Sequence, residues 1–264
     1  MKLTFKGGIH PYEGKELTMD KDVIEYVPKG DMVYPLSQHI GAPAKAVVKK
    51  GDRVLVGQLI AEAGGFVSAN IHSSVSGTVK AVEPRLTASG SKVNSIVIEN
   101  DNQFEEIEYV KNDKPLAELT KEEILEAIKD AGVVGMGGAG FPTGVKLGTD
   151  LQGGYILVNA AECEPGLRHN IQQLEDDCAK VIRGVKHCME ISNASKAIFA
   201  IKKKNEKAVK ALREALKDEE AITIHLLPDI YPMGEERAVV RECLGIELST
   251  TQRPSAANAS VCNV

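Results

Sequence analysis

The 264-residue chain has no apolar run approaching the length of about 20 residues that a membrane-spanning helix needs. Its start, Met1-Lys2-Leu3-Thr4-Phe5-Lys6-Gly7-Gly8, has no apolar core of the kind a secretory signal carries. A cytoplasmic protein is therefore expected. No two of the five cysteines, Cys163, Cys178, Cys188, Cys243 and Cys262, stand in a C-x-x-C spacing. That argues against a disulfide framework and against an iron–sulfur cluster held by this stretch alone, and no metal site is expected. The net charge is −5 and no long basic stripe is present, which argues against nucleic acid as the partner. The run Lys202-Lys203-Lys204 reads as a solvated loop before a helix.

The length suffices for two modest cores. Residues 1–33 read as an extended, largely polar lead-in with turns. From about 34 to 105, short β-prone runs (Val47-Val48, Val54-Leu55, Leu59-Ile60, Ile71, Val75, Val79, Ile96-Val97-Ile98) alternate with turn signals such as Lys50-Gly51-Asp52 and Ser76-Gly77. The pattern predicts a small all-β domain. An acidic, polar stretch from 100 to 115 is placed as the linker, and 116–264 as the second domain. There Thr120-Lys121-Glu122-Glu123 is a capping box opening a helix over Ile124, Leu125 and Ile128.

Short apolar runs at Tyr155–Val158, Lys196–Ile201 and Ile222–Leu227 read as strands. Between them, Ile171, Leu174, Cys178, Val181, Ile182, Val185 and Met189 recur at helical spacing, as do Val209, Leu212 and Leu216. Helix and strand in alternation predict an α/β domain with a parallel, doubly wound sheet. Cys178 and Cys188 read as core. Cys163 could touch a ligand or be a small buried thiol.

One stretch stands out: Gly135-Met136-Gly137-Gly138-Ala139-Gly140-Phe141-Pro142-Thr143-Gly144-Val145-Lys146. Glycines let backbone N–H groups approach a ligand closely, and a lysine follows, a combination suited to phosphate. Taken alone, such a turn is better read as a place where two elements pack closely.

Two further segments change that balance. Gly135–Lys146, Asn159-Ala160-Ala161-Glu162-Cys163-Glu164-Pro165-Gly166 and Tyr231-Pro232-Met233-Gly234-Glu235-Glu236 together resemble, in order, the flavin and nicotinamide segments of the NADH-oxidising subunit of respiratory complex I and of the Rnf-C family of electron-transport proteins. Met136 stands where complex I has arginine and points to the Rnf branch. The opening Gly7-Gly8-Ile9-His10-Pro11 is also Rnf-C-like, although His10 by itself reads as surface.

The β region resembles a biotinyl/lipoyl-type hammerhead, but its hairpin, Ala63-Gly64-Gly65-Phe66-Val67-Ser68-Ala69, holds no lysine to acylate, which excludes a carrier role. The expected fold is thus α/β plus all-β: a lipoyl-like hammerhead followed by a Rossmann-like flavin domain.

By resemblance, FMN is the cofactor and NADH the substrate. The implied flavin contacts are Gly135, Gly137, Gly138, Lys146, Asn159, Glu162, Gly234, Glu235 and Asn263. Phe141, Glu164 and Glu236 are implied for NADH, the carboxylates disfavouring the extra phosphate of NADPH. Glu235-Glu236 also fits an acidic first turn of a helix, and Phe141 fits core packing. No catalytic nucleophile or general acid is required.

The implied partners are other electron-transport subunits on the cytoplasmic face of a membrane. A segment likeness to the Rnf-C-like protein associated with proline reductase keeps a soluble reductase open, and a non-catalytic docking scaffold is the alternative of another class. Members of the Rnf-C family continue beyond a point equivalent to Val264, with clustered cysteines for iron–sulfur clusters. Ser260–Val264 reads as an interrupted strand, so this stretch alone is expected to bind flavin weakly.

Overall fold

The computed structural model describes residues 8–109, 114, 118–136 and 140–264. Its contacts divide the chain into two compact units, Ile24–Gly148 and a second made of Met1–Val23 with Thr149–Val264.

In the first unit, β1 (Met32–Pro35), β3 (Arg53–Val54), β6 (Gly77–Leu86) and β7 (Lys92–Asn100) form an antiparallel sheet in the order β1-β7-β6-β3. A second antiparallel sheet joins β2 (Lys45–Ala46), β4 (Leu59–Glu62) and β5 (Ile71–His72). Alternate residues of these strands, among them Val54, Ile60, Val79, Ile96 and Ile98, turn inward and make one apolar core. The 63–70 turn is stitched by side chains. Ser68 Oγ accepts from the Gly64 amide at 2.8 Å and donates to the Ala42 carbonyl at 2.8 Å, while Asn70 Oδ1 accepts from the Ala63 amide at 2.9 Å. Phe66, at its tip, is exposed.

The capping box forms as read. Thr120 Oγ1 accepts from the Glu123 amide (3.2 Å) and Glu123 Oε2 from the Thr120 amide (2.8 Å), opening α1 (Lys121–Asp130). The helix stops at Asp130. Gly132 takes a left-handed φ of 66°, and Val134 leaves the helix to bridge Pro142. The short helix α2 (Thr143–Leu147) follows the glycine loop.

The second unit is the parallel sheet that the alternating pattern predicts. Its strands β8 (Tyr155–Ala160), β9 (Lys196–Lys202), β10 (Ile222–Leu227) and β11 (Ala259–Asn263) lie in the order β10-β9-β8-β11. Their side chains alternate between two cores. Ile156, Val158, Phe199 and Ile201 meet α3 (His169–Asp176), α4 (Cys178–Ile191) and α5 (Glu206–Ala215) on one face. Leu157, Ala200 and Val261 meet α6 (Glu236–Leu244) on the other.

Two readings need correction. The stretch read as one helical run is two helices, broken at Asp177 (φ −143°, ψ 51°) although the apolar spacing continues across the break. Ser260–Asn263, read as part of a strand, belongs to β11, which is in register with β8 over five residue pairs. Lys202 is not solvated: it ends β9 and is 2% exposed. Among the described residues no helix is long and apolar enough to cross a membrane.

Candidate functional site

In the parallel sheet, β8, β9 and β10 step outward in one direction, and the chain then returns to lay β11 on the other side of β8. The reversal lies between β8 and β11. Helices leave the sheet on opposite faces at such a point, opening a crevice at the carboxyl ends of the strands where ligands of α/β proteins bind. Asn159 and Asn263 occupy that edge as direct register partners.

Asn159 joins the two loops that follow the sheet. Its Nδ2 donates to the Gly234 carbonyl at 3.0 Å, and its Oδ1 accepts from the Ala161 amide at 3.1 Å. Cys163 makes a second link, its Sγ accepting from the Gly234 amide at 3.1 Å. Gly234 lies so close that a β-carbon there would sit 3.3 Å from Cys163 Sγ and 3.4 Å from the Asn159 amide atoms. The Asn159–Glu164 and Tyr231–Glu236 segments are thus brought together, as their shared role in the resemblance implies.

The four acidic residues differ in what they do. Glu162 is 7% exposed and holds a left-handed φ of 45°, uncommon for a residue with a β-carbon. Its Oε2 accepts from the Ile171 amide at 3.1 Å, satisfying one of the first-turn donors of α3, and its Oε1 lies 3.7 Å from His169 Nδ1. Glu162→Ala is expected to destabilise the chain by about 1–2 kcal/mol in urea unfolding, the loss typical of a helix cap. Glu162→Gln keeps an acceptor at the same place and should lose much less.

Glu235 is the N-cap of α6. Its Oε2 accepts from the amides of Arg237 and Ala238, both at 3.0 Å, and its Oε1 from Arg237 Nε at 2.9 Å. Glu236 is the exposed first residue of that helix, and Glu164 is exposed in the loop after β8.

In the other unit the base of the glycine loop is closed by backbone bonds from the Gly135 amide to the Phe141 carbonyl (3.0 Å) and from the Thr143 amide to the Val133 carbonyl (2.9 Å). Gly140 has a φ of 61°, and a β-carbon there would lie 3.0 Å from the Gln38 carbonyl oxygen. Phe141 and Lys146 are both half-buried, Lys146 on α2. Gly137 and Gly138 lie outside the described residues.

Sequence reasoning gave no role to the lead-in, yet it docks on the carboxyl edge of the parallel sheet. Ile9 exchanges both backbone bonds with Tyr231 (3.0 and 2.9 Å). Lys15 Nζ donates to the carbonyls of Glu164 (2.8 Å) and Leu167 (2.6 Å), and Thr18 Oγ1 to that of Gly166 (2.7 Å). The Glu13 carbonyl accepts from the Gly166 amide at 2.7 Å.

The Glu13 carboxylate lies 3.3 Å from buried Lys202 Nζ and 2.6 Å from Lys204 Nζ, and Asp229 completes the square at 3.1 and 3.0 Å. Only the unusual Gly-Gly-Ile-His-Pro opening marked this region in sequence.

Burial works to raise the carboxyls of Glu13 and Asp229, but hydrogen bonds and charge from Lys204 and Lys202 outweigh it and hold both below their ordinary values of 4.5 and 3.8. Folded values below unfolded ones give stability that is complete above the unfolded values and lost as pH falls through the folded ones. A Lys204→Met variant, compared with wild type by chemical denaturation, should therefore show its deficit at about pH 6 and lose it towards about pH 3.

Residues 128–264 match the Nuo51 FMN-binding domain and residues 3–103 the RnfC barrel sandwich hybrid domain. Residues 128–264, which include the whole parallel sheet, thus form a complex-I-type FMN-binding domain.

Over 267 residues the chain is 39% identical to the C component of the proton-translocating ferredoxin:NAD(+) oxidoreductase complex of Clostridium ljungdahlii, covering all of this chain and 58% of that protein. It is 38% identical to the C component of the Na(+)-translocating ferredoxin:NAD(+) oxidoreductase complex of Acetobacterium woodii, covering 99% of this chain and 59% of that one. With the C component of the ion-translocating oxidoreductase complex of Vibrio cholerae it shares 35% identity over 98% of this chain and 34% of the other. The chain belongs to the Rnf-C family, as the three motifs implied. It spans about three-fifths of the length of the first two relatives and a third of the last.

Proposed function

We propose that this chain is the electron-input part of an Rnf-type complex, which oxidises NADH through FMN and passes electrons to iron–sulfur partners. The observation that carries the reading is the sheet's reversal point, where Asn159 and Asn263 stand in register and Asn159 is bonded to the Gly234 segment.

The residues present fit such a cofactor. The Asn159 amide uses one donor and one acceptor in the fold, which leaves a second N–H and a second lone pair for a polar ring edge or a ribityl hydroxyl. A β-carbon at Gly234 would crowd Cys163 Sγ and the Asn159 amide, and its absence keeps the two loops in close contact.

Asn159, Glu162, Gly234, Glu235 and Asn263 are assigned to the flavin on the parallel-sheet unit. Glu235 serves it by fixing the first turn of α6, and Glu162 by fixing α3. Gly135, Gly137, Gly138 and Lys146 are assigned to it on the glycine loop. Phe141, Glu164 and Glu236 are assigned to NADH, whose ribose hydroxyls can donate to a carboxylate and whose lack of a further phosphate avoids repulsion. Bound FMN supplies a two-electron acceptor that can give up electrons singly; the protein supplies position and electrostatics.

The partners are the other subunits of the electron-transport complex, reached from the cytoplasmic face of the membrane. The iron–sulfur clusters that receive the electrons are assigned, by the same family resemblance, to protein other than residues 1–264. Anaerobic addition of NADH to the FMN-loaded chain should bleach the oxidised flavin colour, with NADPH far less effective. An FMN-loaded chain that keeps its colour under excess NADH contradicts the reading.

A further inference from the structure

The lead-in holds both loops of the carboxyl edge and, through Glu13, the lysines at the end of β9. Lys15 and Thr18 bond three carbonyls of the Glu164–Leu167 loop, the Glu13 carbonyl takes the Gly166 amide, and Ile9 pairs with Tyr231, three residues before Gly234. Its apolar side chains do not join the core: Ile9 is 56% exposed, Tyr12 75% and Leu17 66%. A segment held to these loops by polar bonds, without apolar burial, acts chiefly on the order of the loops it touches.

Gly14, at φ 61°, turns the chain so that the flanking residues point at different targets. The Glu13 carboxylate goes to Lys202 and Lys204 at the end of β9, and the Lys15 ammonium to the loop after β8. The attachment to β9 therefore gives the strap a fixed base on the sheet, from which Lys15 reaches the loop.

We propose that Ile9–Thr18 is a strap that sets the two dinucleotide-facing loops, with Lys15 and Glu13 as positioning residues for NADH binding. The proposal rests on the reading above that Glu164 and its loop meet NADH. Lys15 donates to two loop carbonyls that would otherwise turn to water, and so fixes the direction of Glu164. Glu13 anchors the strap, which through Ile9 also fixes the approach to Gly234.

The test compares the full chain as wild type, Lys15→Met, Lys15→Arg and Glu13→Gln, by amide hydrogen exchange without ligand and by NADH titration after FMN loading. We expect Lys15→Met to lower protection at Gly166, and Glu13→Gln at Gly166 and Tyr231, by about tenfold beyond any loss in β8 and β9. NADH should bind about tenfold more weakly in both, FMN affinity should stay as it was, and Lys15→Arg should restore both readouts.

Unchanged protection at Gly166 and Tyr231 in both variants would overturn the strap. Equal loss across β8 and β9 would overturn it too, because the segment would then only hold up the fold. Loosened loops with unchanged NADH affinity would refute the positioning role. A wild-type chain that takes FMN but not NADH overturns the dinucleotide reading instead, and the exchange data then decide by themselves whether the strap orders the loops.

Discussion

Gly234→Val is expected to abolish detectable NADH-dependent flavin bleaching and to lower stability by about 1–3 kcal/mol, the usual range for overpacking a well-filled site. The cause is steric. A β-carbon alone would stand 3.3 Å from Cys163 Sγ and 3.4 Å from both amide atoms of Asn159. The branched carbons of valine have to push the loop away from β8, breaking the bond from the Gly234 amide to Cys163 and that from Asn159 to the Gly234 carbonyl.

A displacement of about 1 Å at a binding edge costs on the order of a hundredfold in turnover. Gly234→Ala should fall between wild type and valine. Gly184→Ala is the control: it lies inside α4, nothing stands within 4 Å of the added carbon, and the change should stabilise by about 0.5–1 kcal/mol. Bleaching rates and urea midpoints of the three variants check the series. A Gly234→Val protein with wild-type rates would show that the loop junction is not part of the site.

The second large effect concerns Lys202. Its ammonium is 2% exposed and lies 3.3 Å from Glu13 and 3.1 Å from Asp229. Removing both carboxylates, as Glu13→Ala/Asp229→Ala, leaves a buried charge without either partner and should destabilise the chain by about 3 kcal/mol. The carboxylates themselves are 29% and 49% exposed, so solvent weakens the pairing and keeps the loss at the lower end of the range for buried pairs.

Lys202→Met makes the opposite change. It removes the buried charge, keeps most of the volume, and leaves Glu13 and Asp229 paired with Lys204, so it should cost about 1 kcal/mol or less. Chemical denaturation of the two variants separates a charge effect from a packing effect. Equal losses would mean that the network matters only as filled space.

What the sequence made legible follows from where each signal is local. The capping box at Thr120 was readable because all its atoms lie within one turn. The parallel sheet was readable because β8, β9 and β10 are apolar runs separated by helical spacing. The Asn159 and Gly234 segments were readable only as motifs. Their bonding across 75 positions, and the use of Cys163 Sγ as an acceptor, are tertiary facts.

Lys202 was misread for the same reason. A triple lysine is normally solvated, and what buries this one includes Glu13, 189 positions away. The break at Asp177 was hidden because the apolar spacing of α3 runs in phase into α4. Glu235 combines both readings of its segment in one place: its carboxylate caps α6 at the edge where the flavin is proposed to lie.

The central claim is that this chain holds FMN. The most direct measurement is an equilibrium FMN titration followed by flavin fluorescence, run on wild type, Asn159→Ala and Lys146→Ala. The account predicts saturable one-to-one binding by wild type, weakened by about tenfold or more in each variant. Wild-type fluorescence that stays at the level of free FMN, or binding that both variants share unchanged, would contradict it.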